Sequence, residues 1–133
     1  METKDKKILI IEDDSRSLKL LEYLLANSGS LETASNGREG LEKLKKSYFD
    51  AVVSDVDMPY MSGLELYVEA EKEDPDLKNR IIFYSAMCSS DCMAFFREKE
   101  LCFIRKPSSI HLLREMLEHI LEKGFIKPED KTY

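Results

Sequence analysis

The sequence predicts an α/β fold: a five-stranded parallel sheet, doubly wound by helices in a (βα)5 pattern. Three observations predict it. Five short β-rich runs alternate with longer segments of helical spacing. Runs such as ILII and AVV are continuously apolar, as strands covered on both faces must be. Turn and helix-stop residues fall between the runs, where the alternation needs them.

The strand-like runs are KILII (7–11), LETA (31–34), AVVS (51–54), RIIFYS (80–85) and LCFIR (101–105). The first helical segment, 15–28, places Leu18, Leu21 and Leu25 on one face, and the second, 38–46, carries Leu41 and Leu44. The third, 63–73, carries Leu64, Tyr67 and Val68, and Pro75 forces its end. The fourth, 89–99, carries Met93, Phe95 and Phe96. The fifth, 108–123, carries Ile110, Leu113, Leu117 and Ile120, with Pro107 suited to its first turn because a missing N–H costs little there. Asn36-Gly37 reads as a turn. The domain is expected to occupy 1–123, followed by a polar, flexible tail over 124–133.

A chain of 133 residues suits one domain with a substantial core. A net charge of −6 argues against phosphate-backbone binding to nucleic acid, which needs a basic face. No apolar run reaches membrane-spanning length, and METKDKK is no signal peptide, so a cytoplasmic protein is expected. Cys88, Cys92 and Cys102 lack metal-motif spacing and nearby histidine, and read as reduced thiols.

In an open parallel sheet, functional groups collect beyond the carboxyl ends of the strands. There the chain sets Glu12-Asp13-Asp14, then Asp55 with Asp57 two residues on, then Ser85-Ala86, then Arg105-Lys106-Pro107. If the first and third strands are neighbours, Glu12, Asp13 and Asp55 converge. Three bare carboxylates cannot share a crevice unless some hold protons or a cation sits between them. Hard oxygen ligands suit Mg²⁺ or Mn²⁺. A carboxylate nucleophile, a divalent metal, a lysine and a hydroxyl are the parts that phosphoryl transfer needs.

Taken singly, each residue has a plainer role. Glu12, Asp13 and Asp14 could favour the start of the first helix, with Asp14 or Ser15 as N-cap. Asp55 could be a turn acid and Lys106 a solvated lysine; His111 and His119 read as surface or boundary residues. Met87, Met93 and Phe96 read as packing rather than as a ligand site. The joint placement at the ends of different strands favours a common site.

KILIIEDDSRSLKLLEYLL, TASNGREGLEKL, DAVVSDVDMPYMSGLEL, IIFYSA and FIRKP together resemble the receiver domain of bacterial two-component response regulators, over about residues 6–122. The resemblance implies the flavodoxin-like strand order 2-1-3-4-5. It implies Asp55 as phosphoacceptor, and metal held by Glu12, Asp13, Asp55 and the backbone carbonyl of Asp57. Ser85 and Lys106 would contact the phosphoryl group, with Lys106 paired to Asp55 beforehand. Ser85 and Phe103 would be the switch residues, remodelling the face of the fourth helix, fifth strand and fifth helix. Asp57 and Met87 would tune phosphate lifetime.

A sensor histidine kinase or histidine phosphotransfer protein would donate the phosphoryl group, and a downstream protein, or a second copy in a homodimer, would read the result. The chain would not be a turnover enzyme beyond slow self-catalysed phosphorylation and dephosphorylation. No output domain fits in the remaining residues, so a stand-alone regulator, a phosphorelay intermediate or a fragment is expected.

Three departures fall on the expected output face. EKELCF lacks the usual Gly-Ala, Ser108-Ser109 follows Lys-Pro, and MCSSDCMAFF replaces an acidic, polar helix. They leave a non-switching pseudo-receiver as an alternative. DVD also resembles the first motif of haloacid-dehalogenase-type phosphatases, but that family places its further acidic pair after the lysine, and here it precedes Asp55.

Overall fold

The computed structural model describes residues 5–106 and 110–131. Strands β1 (Lys7–Ile11), β2 (Ser30–Ala34), β3 (Ala51–Ser54), β4 (Ile81–Ser85) and β5 (Cys102–Arg105) alternate with helices α1 (Ser15–Leu25), α2 (Gly37–Lys46), α3 (Gly63–Glu71), α4 (Ser90–Lys99) and α5 (Ile110–Lys123). All strand pairs are parallel, in the order β2-β1-β3-β4-β5, as expected.

Strand side chains alternate between the two sheet faces, so each apolar run serves two cores. Ile8, Ile10, Val53, Ile82 and Ile104 face α1 and α5, where Leu21, Leu25, Leu113, Leu117 and Ile120 complete one core. Leu9, Ile11, Val52, Ile81 and Phe83 face the other way, against Leu41, Leu66, Tyr67 and Phe96.

Side-chain oxygens start the helices. Asp14 caps α1, accepting from Ser17 N at 3.0 Å. Asn36, expected as a plain turn, caps α2 by accepting from Glu39 N at 2.8 Å. Ser62 and Glu65 form a reciprocal capping box on α3, and Ser89 caps α4. Helix α1 stops short of the expected 28 because Leu25 is the last residue of its buried stripe. Pro75 follows the end of α3, as expected, and opens a 3₁₀ turn, Pro75–Asn79. The expected role of Pro107, and the departure at Ser108-Ser109, lie outside the described residues.

Other expectations also differ from the structure: Met87, read as packing, is 71% exposed. The tail does not run free through 131: Ile126 joins the α1–α5 core at 3% exposure, and Cys102 Sγ donates to the Asp130 carbonyl at 3.5 Å. The edge strand β5 leaves apolar surface that this segment covers. Nor are all three cysteines free. Cys88 and Cys92 are joined as a disulfide, because the first turn of α4 winds them to the same side; only Cys102 is a free thiol. Burial pushes the Cys102 thiol up to about 12, with Asp130 adding to it. Among the described residues, no helix is long and apolar enough to cross a membrane.

Candidate functional site

Strand register builds the site. Ile11 of β1 lies beside Ser54 of β3, so the next residues, Glu12 and Asp55, leave the sheet side by side. Their backbones remain tied to it: Glu12 N donates to Ala34 O and Asp55 N to Ile11 O, each at 2.9 Å. On the other flank Ser85 lies opposite Arg105, and Lys106 N donates to Ser85 O at 2.9 Å.

Glu12, Asp13 and Asp55 each offer a carboxylate oxygen, and those oxygens lie within 4.8 Å of one another. Among the described residues this is the one cluster of metal-ligating side chains. Glu12 is buried at 1% exposure, Asp55 half-buried and Asp13 exposed, so the cluster opens to solvent on one side. The donor set consists of hard oxygens, which fits a small divalent cation.

Lys106 Nζ donates to Glu12 Oε1 and lies 3.5 Å from Asp55 Oδ2. The expected Lys106–Asp55 pair is therefore the looser contact. Asp55 Oδ1 already accepts from Val56 N at 2.7 Å, whereas the deeper Glu12 has more to gain from the ammonium. Burial raises the Glu12 carboxyl to about 7; the Lys106 hydrogen bond opposes this and the Asp55 charge adds to it. Burial acts to lower the Lys106 ammonium, but its two carboxylate partners outweigh it and hold it above its ordinary value. The Tyr84 ring lies beneath the ammonium, 5.7 Å from its centroid.

Ser85 sits at the same edge, buried, at the end of β4. Asp57 is exposed, and its side chain is not part of the carboxylate cluster. It instead shares with Met87 the walls of an adjoining cavity of about 450 Å³, between the loops that follow β3 and β4. Phe103 is half-buried and stacks on Phe96 of α4 at 5.4 Å, so the ring in β5 and the helix pack as a unit. His111 is exposed on α5, and His119 packs edge-on against Phe125 at 5.2 Å.

Two further residues shape the site, Gly63, which the sequence places at the turn into α3, and Arg105. Gly63 donates from N to Val56 O at 2.8 Å, and a Cβ there would overlap the Asp55 carbonyl oxygen, so the start of α3 can close on Asp55 only with glycine. Arg105 donates to Ala86 O at 3.1 Å, tying β5 to the β4–α4 loop.

Known proteins resemble this chain over nearly its whole length. Residues 8–118 match the response regulator receiver domain family. The chain is 33% identical over 126 residues to the transcriptional regulatory protein GlrR of Escherichia coli K12, covering 93% of this chain but 28% of GlrR. It is 31% identical over 124 residues to the chemotaxis protein CheY-3 of Vibrio cholerae, covering 90% of this chain and 95% of CheY-3. The crystal structure of a CheY-like receiver domain protein from Methanospirillum hungatei superposes with a TM-score of 0.80 at 27% identity, covering 97% of this chain and 100% of that one. The chain belongs to the receiver-domain family of two-component response regulators.

Proposed function

We propose that Asp55 is the phosphoacceptor of this receiver and that its phosphorylation switches the α4–β5–α5 face for a partner protein. The observation that carries the proposal is the convergence of Glu12, Asp13 and Asp55 with Lys106 reaching between them. Glu12, Asp13, Asp55 and the Asp57 carbonyl would hold Mg²⁺ or Mn²⁺. A divalent ion there supplies charge neutralisation and orientation for phosphoryl oxygens.

The protein's own groups do the rest. Asp55 Oδ2 attacks phosphorus as the bond from phosphorus to the donor's imidazole nitrogen breaks and the imidazole leaves with the electron pair, while Val56 N–H holds Oδ1 and fixes the carboxylate plane. Lys106 shifts from the carboxylates to the incoming phosphoryl oxygens. Ser85 donates its hydroxyl to a phosphoryl oxygen and draws the β4–α4 loop inward. The Phe103 ring follows, carrying Phe96 and α4 with it. Asp57 and Met87, on the rim of the adjoining cavity, tune access of water to the aspartyl phosphate.

The donor is a sensor histidine kinase or a histidine phosphotransfer protein in the cytoplasm, and the chain acts as a stoichiometric switch rather than a turnover enzyme. This part rests on family membership. The test is intact mass after incubation with Mg²⁺ and acetyl phosphate. One base-labile phosphoryl adduct is expected, absent in Asp55→Asn. An adduct that persists in Asp55→Asn would place the acceptor elsewhere.

A further inference from the structure

The cysteine pair at the head of α4 plays no part in phosphoryl chemistry, yet it lies on the loop that such chemistry must move. Cys88 precedes the N-cap Ser89, and Cys92 is the third residue of α4; their Cα atoms are 5.5 Å apart, a separation suited to a disulfide. Cys92 N also donates to Ser89 Oγ at 3.1 Å, so the capping hydrogen bond and the sulfur link close the same turn. Among the described residues no third metal-ligating side chain joins the two sulfurs, which leaves thiol–disulfide chemistry rather than metal binding. Both cysteines line the cavity of about 450 Å³ beside Asp57, and Cys88 is only half-buried, so a small oxidant can reach them. The third cysteine, Cys102, is fully buried and has no such access.

We propose that Cys88–Cys92 is a reversible dithiol–disulfide site that exchanges with low-molecular-weight disulfides, and that its closed form holds the β4–α4 loop against the movement required for switching. The second half rests on the reading of Asp55 as phosphoacceptor. In closure, one cysteine thiolate attacks a sulfur of the oxidant RSSR and releases RS⁻. The other thiolate then attacks the resulting mixed disulfide at the protein sulfur and releases the second RS⁻. Overall, two protein thiols are oxidised and one RSSR is reduced to two RSH. Both sulfurs sit at the N-terminal end of α4, on the loop that joins it to β4. Only Ala86 and Met87 separate Ser85 from Cys88, so a link from Cys88 into the helix limits how far Ser85 can travel.

The experiment equilibrates the full chain with defined ratios of reduced and oxidised glutathione, alkylates the remaining thiols and measures mass and peptide maps. Expected is the loss of two hydrogens confined to the peptide spanning Cys88 and Cys92, reversed by reduced glutathione. Cys88→Ser and Cys92→Ser should instead give a mixed glutathione adduct at the remaining partner. A mixed adduct in the wild type, or no oxidation at all, overturns the site. Hydrogen exchange over 86–95 is then followed in oxidised and reduced protein, with and without Mg²⁺ and beryllofluoride. Beryllofluoride should change exchange at least about threefold more in the reduced form. Equal responses in both forms overturn the restraint. If neither form responds, the phosphoacceptor reading fails, and the mass data alone decide the disulfide site.

Discussion

Lys106, next after β5, bonds more closely to Glu12 than to Asp55, so the ammonium rests on a neighbour of the proposed acceptor rather than on Asp55 itself. Replacing it leaves a deeply buried carboxyl without its cation. Lys106→Ala should cost about 1–3 kcal/mol at pH 8 and much less at pH 5, where Glu12 can take up a proton instead. Chemical denaturation at the two pH values measures this. An equal loss at both would show that the ammonium does not stabilise the Glu12 anion.

The Glu12 carboxyl lies above its ordinary 4.5, at about 7, chiefly because it is buried. The folded protein therefore holds a proton that the unfolded chain gives up. The contribution of this group to stability is complete below pH 4.5 and declines as pH rises through about 7. Mg²⁺ held by Glu12, as proposed, would displace the same proton. Affinity should therefore rise with pH between 6 and 8 by up to about tenfold. Calorimetric titration in buffers of different ionisation enthalpy should register proton release near pH 6 and little at pH 8.

Gly63 faces the Asp55 carbonyl with no room for a side chain. Gly63→Ala should destabilise by about 1–3 kcal/mol, because the overlap is with backbone. It should also slow acetyl-phosphate modification by shifting Asp55. A thermal melt and a modification time course on the same sample separate the two effects. Unchanged values in both would mean that α3 can retreat freely from the site.

Phe96 is fully buried and stacks on Phe103, the ring proposed above to follow Ser85. A double-mutant cycle with Phe96→Leu and Phe103→Leu should give a coupling of about 0.5–1.5 kcal/mol. The coupling should diminish once beryllofluoride is bound. A coupling of zero in the free protein would detach the ring from α4.

Ile126 seals the open edge of the α1–α5 core. Ile126→Ala should cost about 2–5 kcal/mol, and removing residues 125–133 at least as much. A loss below about 0.5 kcal/mol would return this segment to the status of a dispensable tail.

Elements whose signal is local were legible in the sequence. The alternation of ILII and AVV with amphipathic segments gave the parallel sheet, and polar residues at strand ends gave Glu12, Asp13, Asp55 and Lys106 as a set. What escaped depends on side-chain reach or on folding back. Spacing does not reveal that Lys106 prefers Glu12, since that follows from relative depth in the crevice. Nor does composition reveal that Ile126, three residues past Lys123, returns to the core: a largely polar segment with two adjacent apolar residues, Phe125 and Ile126, reads as solvated until an uncovered edge strand receives it. The cysteine pair was misread because its spacing matches no metal motif, while the capped turn of α4 is what brings the sulfurs together.

Four aromatic rings run in sequence across one face of the sheet: Tyr67 to Phe83 at 6.4 Å, Phe83 to Phe96 at 5.0 Å and Phe96 to Phe103 at 5.4 Å. They link α3, β4, α4 and β5, and the chain contains no tryptophan to mask them. Any displacement of α4 must therefore alter the ring-current shifts of its neighbours in proton spectra. The molecule carries its own unlabelled gauge of helix position, one that can be read during titration without adding a dye or changing a residue.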